Sequence, residues 1–127
     1  MEYVTLVVII ALLEYVFFTM RTGKARADSG LKAPAVTGNE MFERYFRVQQ
    51  NTLEQIVVFI PSIYIFGMYL HELTAAGLGI LFILGRALYF RGYTTDPEKR
   101  GPGMVITVMA SVFLLLGGLA GVIMELL

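Results

Sequence analysis

Three polar residues recur at helical spacing in otherwise apolar sequence. Arg47, Asn51 and Glu54 stand at i, i+4 and i+7, which puts them on one helix face. Arg44 and Glu40 continue that face; Gln49 and Gln50 lie off it. A second set, Arg86, Tyr89 and Tyr93, is spaced i, i+3, i+7, and Arg100 follows beyond a turn centred on Asp96-Pro97. Each group alone has an ordinary structural role. Arg47 and Glu54 can belong to a polar seam between helices, and the tyrosines to an interfacial aromatic belt. Arg86 can snorkel to a membrane edge, and Arg100 can anchor the chain there. Together they suggest a pocket with several cations, amides, phenols and one carboxylate. Such a pocket suits a small zwitterion with more than one carboxylate. Arginine grips carboxylate in a planar fork, and Glu54 can receive an ammonium. Apolar walls facing lipid would admit a second, greasy ligand.

These residues need helices to hold them in place. The chain has 127 residues, 57% of them hydrophobic and 16% charged, against about 25% charged in an ordinary soluble domain. Its mean hydropathy is +0.69, so the natural solvent for most of it is lipid. A formal net charge of zero gives no basic field to attract nucleic acid. A spanning helix needs about 20 mainly apolar residues. The predicted helices cover about 3–20, 40–70, 73–93 and 104–124, an all-α integral membrane four-helix bundle in a single domain over 1–127. Gly117 and Gly121 form a small-xxx-small step that lets a neighbouring helix approach. The start, Met1-Glu2-Tyr3, lacks a basic n-region and a cleavage site, so the first apolar run is expected to stay in the mature protein.

The links differ sharply. Residues 21–39 are expected to form a basic loop with Gly23, Gly30, Pro34 and Gly38 as breakers. Residues 70–73 barely make a turn, and 91–103 are polar with Pro97, Gly101, Pro102 and Gly103. All ten lysines and arginines lie in or beside the first and third links. The positive-inside rule places links 21–39 and 91–103 in the cytoplasm and both termini on the opposite side. With no cysteine and only His71, no metal site is expected, and any thiol chemistry must use a sulfur brought by a ligand.

The stretch Glu43-Arg44-Tyr45-Phe46-Arg47-Val48-Gln49-Gln50-Asn51-Thr52-Leu53-Glu54 resembles the signature of the MAPEG family, the membrane-associated proteins of eicosanoid and glutathione metabolism. Gly85-Arg86-Ala87-Leu88-Tyr89-Phe90-Arg91-Gly92-Tyr93, followed by Lys99-Arg100, resembles its second block. Gly23-Lys24-Ala25-Arg26 is similar to the end of its first helix. The motifs look closest to the branches of microsomal glutathione transferase type 3 and leukotriene-C synthase. The resemblance implies a homotrimer that binds glutathione between adjacent subunits near the cytoplasmic face. It implies glutathione as co-substrate, with a hydrophobic electrophile or a lipid hydroperoxide as second substrate. By position it implies glutathione contacts at Arg26, Arg47, Gln49, Asn51, Glu54, Arg86, Tyr89 and Tyr93. It implies that Arg100 is catalytic and stabilises the glutathione thiolate. Two positions depart from the leukotriene-C synthase pattern. Ala27 replaces a second arginine, and Gln55 replaces a tyrosine.

Two rival readings compete. A lone Glu14 in the first helix resembles the small multidrug-resistance transporters, where such a carboxyl binds protons and cationic drugs in turn. The basic first link and the Arg-Asn-Glu stripe have no role in that scheme, and Glu14 can instead make a polar contact inside the bundle. The other rival is a non-catalytic, lipid- or glutathione-binding adaptor of the same family, against which the retention of Arg100 and the full stripe argues. A bacterial inner membrane and the endoplasmic reticulum are both open as locations.

Overall fold

The computed structural model describes residues 1–127 as four long helices: α1 (Glu2–Ser29), α2 (Glu40–Tyr69), α3 (Glu72–Thr95) and α4 (Gly101–Leu126). A short 3-10 turn, Pro97–Arg100, joins the last two. All four are long and apolar enough to cross a membrane. Local chemistry sets their ends. The Asn39 side chain caps α2 by accepting from the Phe42 N–H at 2.9 Å, and His71 caps α3 by accepting from the Thr74 N–H at 3.1 Å. Gly30, at φ 72°, closes α1 in the left-handed conformation.

The basic loop expected over 21–39 is shorter than the sequence suggests. Apolarity stops at Met20, but α1 runs on to Ser29. The intervening residues are good helix formers, and Lys24 pairs with Asp28 one turn on at 3.0 Å. Gly23 does not break the helix; it faces open space. The third link is shorter as well. α3 runs to Thr95, and helical structure resumes at Pro97, which suits a first helical position.

The core is apolar. Val4, Phe59, Ile63, Phe82 and Leu114 are fully buried, and the Phe59 and Phe82 rings stack with centroids 3.8 Å apart. The glycine step of α4 meets α2. A Cβ at Gly117 would enter the Phe66 ring, and one at Gly121 would press on Tyr69 and Leu70. The Met1 ammonium lies 3.2 Å from Glu72, so the N-terminus sits beside the second link. Arg44 donates to the Thr95 carbonyl at 3.4 Å, which brings the first and third links together at the other end. There α4 lies against α3, backbone to backbone. A Cβ on Gly103 would collide with the Tyr89 backbone nitrogen, and one on Gly85 would come within 2.9 Å of the Thr107 nitrogen. This close approach carries the 3-10 turn to the tyrosines of α3.

Candidate functional site

At that end a groove of about 570 Å³ opens between α2, α3 and the start of α4. Arg47, Asn51, Tyr89, Tyr93 and Arg100 line it, with Met104 and Val105 as its apolar wall. Helical periodicity explains the first four: each pair repeats one turn apart on its helix. The Tyr89 and Tyr93 rings are 5.5 Å apart. Arg100 arrives from the 3-10 turn. Its Nη1 donates to the Pro97 carbonyl at 2.7 Å, and its other N–H groups have no protein partner. Arg47 is exposed and likewise unpaired. Two cations with open donors therefore face one groove, beside two phenols and an amide. The arrangement can bind carboxylates and stabilise an anion.

Arg86 behaves differently from the sequence expectation. It neither snorkels nor lines the groove; it is 0% exposed. Its Nε donates to Thr107 Oγ1 at 3.0 Å. Its Nη1 donates to Asn51 Oδ1 at 2.7 Å and to Thr52 Oγ1 at 3.2 Å, and its Nη2 reaches Met104 Sδ at 3.4 Å. The guanidinium also lies 4.4 Å from the Tyr89 ring centroid. Buried donors need partners, and here neutral acceptors on two other helices supply them. Arg86 thus fixes two groove residues, Asn51 and Tyr89, from behind. Thr52 and Thr107, which share this role, are not singled out by the sequence motifs. The available signal was the need of an arginine in an apolar helix for acceptors on facing helices.

Other candidates lie elsewhere. Glu54 is exposed on the Arg47–Asn51 stripe but outside the groove. Arg26 donates to the Ala35 carbonyl at 2.8 Å and lies over the Phe42 ring at 4.4 Å. Gln49 is seven residues after Phe42 and shares its face of α2, opposite the groove stripe. Within one chain, Arg26 and Gln49 do not meet Arg47 and Arg100. Glu14 lines no groove either, and its Oε1 is enclosed without a hydrogen-bond partner.

A family model described as MAPEG family matches residues 4–120. An uncharacterized protein of Synechocystis sp. is 40% identical over 121 residues, covering 95% of this chain and 88% of that protein. Human microsomal glutathione S-transferase 2 is 39% identical over 106 residues, 84% of this chain and 72% of its own length. Leukotriene C4 synthase of Cavia porcellus is 31% identical over 94 residues, 74% of this chain and 63% of its own. Leukotriene C4 synthase is one of the two branches the motifs suggest. The transferase matched here is type 2, where the motifs suggest type 3.

Proposed function

The chain belongs to the MAPEG family, and from that premise we propose that it is an integral membrane glutathione transferase whose Arg100 activates the glutathione thiolate. The observation that carries this reading is the single groove uniting Arg47, Asn51, Tyr89, Tyr93 and Arg100. Glutathione brings two carboxylates, an ammonium and a thiol, and the groove answers with cations, an amide and phenols. In this reading Arg47 grips a carboxylate in its fork, while Asn51 and the tyrosine hydroxyls orient the peptide. Glu54, at the edge of the stripe, receives the ammonium. Arg26, on α1 beside Phe42, and Gln49, on the far face of α2, complete the site of a neighbouring copy, as a homotrimer would require. The cationic end of the bundle is its cytoplasmic end. Family membership supports this reading over a drug transporter built on Glu14.

A thiol of pKa about 8.5 is only about 3% thiolate at pH 7. A cation that holds it near about 6.5 makes about three-quarters of it thiolate, a gain of about 2.7 kcal/mol. One close arginine in a partly dry groove is enough for this. The open donors of Arg100 face the groove, and the thiol proton leaves to water. The sulfur then attacks a hydrophobic electrophile entering past Met104 and Val105. A carbon–sulfur bond forms, and the leaving group departs with its electron pair. With a lipid hydroperoxide, the sulfur takes the outer oxygen and the alcohol departs. A second glutathione then forms the disulfide and releases water.

Replacing Arg100→Ala and following conjugation of chlorodinitrobenzene tests the role. Glutathione should still bind, and turnover at pH 7 should fall about 25-fold, the ratio of the two thiolate fractions. Unchanged turnover by glutathione-loaded protein would show that Arg100 does not activate the thiol.

A further inference from the structure

A second basic groove lies on the other side of the junction between the 3-10 turn and α4. It holds about 410 Å³ and is lined by Leu88, Arg91, Thr95, Lys99 and Pro102, with two glycines between. It shares no residue with the first groove. Arg91 and Lys99 are both exposed and have no side-chain partner, whereas Lys24 and Arg44 each pair with a carboxylate. No acidic side chain lines the groove. Among the nearby acids, Asp96 accepts from the Glu98 N–H at 3.1 Å, Glu40 holds Arg44, and Glu98, exposed and unpaired beside Lys99, stands outside the groove lining.

The backbone brings the two cations to one groove. A Cβ on Gly92 would collide with the Lys99 carbonyl, so glycine lets the 3-10 turn lie directly on α3. An apolar seam leads away from the cations. Leu84, Leu88, Arg91 and Thr95 repeat at i, i+4, i+7 and i+11 along one face of α3. Pro102, Ile106, Met109 and Phe113 do the same on α4. Leu84, Leu88, Met109 and Phe113 are exposed. Cations beside an apolar seam suit an anion with a hydrocarbon tail.

We propose that this groove binds the phosphate headgroup of an anionic phospholipid, with an acyl chain lying along the α3–α4 seam. The full chain would be reconstituted in vesicles of phosphatidylcholine and phosphatidylglycerol, then extracted in mild detergent. Bound lipid would be counted by native mass spectrometry. Phosphatidylglycerol should be retained in preference to phosphatidylcholine, and excess inorganic phosphate should not displace it. Arg91→Gln with Lys99→Gln should cut that preference about 30-fold, and Lys99→Gln alone about fivefold. Lys24→Gln with Lys32→Gln, an equal charge change at the same end of the bundle, should leave it intact. Because Lys99→Gln removes only an exposed side chain, it serves if the double variant fails to fold. An unchanged preference in the Arg91/Lys99 variants, an equal loss in the Lys24/Lys32 control, or displacement by inorganic phosphate would each overturn the proposal.

Discussion

Arg86 and Arg100 stand on either side of Asn51 and the α3 tyrosines, yet their surroundings are opposite. Arg86 is enclosed, and its guanidinium is matched to Asn51, Thr52 and Thr107 on two neighbouring helices. Arg100 makes one bond to its own turn and leaves its remaining donors open to the groove. A buried arginine with most of its donors matched ties helices together; of its five N–H groups only one, on Nη2, has no protein partner. An unsatisfied exposed one adds little to the fold and keeps its charge for whatever enters. The same residue type is therefore tied into the bundle in one region and left open to a ligand in the other, and the partners available at each place decide which.

This contrast can be broken by mutation. Arg86→Leu should have the largest effect. It strands buried acceptors on α2 and α4 and should cost about 3 kcal/mol or more, seen as a lower melting temperature in detergent together with lost glutathione binding. A stable Arg86→Leu protein would mean that the buried network does not hold the bundle. Gly103→Ala comes next. Its methyl would drive α4 away from the Tyr89 backbone, at about 1–3 kcal/mol, so melting temperature and turnover should fall together. Arg47→Ala should separate the two regions. Its thermal unfolding should stay within about 0.5 kcal/mol of the parent, while glutathione affinity measured by calorimetry drops about tenfold. Glu54→Gln should be the mildest, weakening glutathione binding about threefold, as suits one exposed charge pair. A larger loss there would place the ammonium deeper on Glu54 than an exposed contact allows.

Much of the groove was legible because helices repeat. The 3.6-residue period puts Arg47 with Asn51 and Tyr89 with Tyr93 whatever the tertiary fold, and it sets Gln49 off that stripe. It cannot say what lies across from a face. For Arg86, nothing in its own helix reveals that Thr52 and Thr107 will meet it. The backbone contact at Gly103 is equally hidden, since it depends on two helices coming together. Hydropathy misses the α1 end for a related reason: it reports where apolarity stops, and Arg21 to Ser29 remain helical beyond that point.

The most direct test of the central claim is the ionisation of bound glutathione, read from thiolate ultraviolet absorbance across pH. The parent protein should ionise the thiol about 2 pH units below free glutathione, and Arg100→Ala should return it close to the free value while the tripeptide stays bound. If the bound thiol titrates alike with and without the Arg100 side chain, the open arginine of the groove is not what activates it.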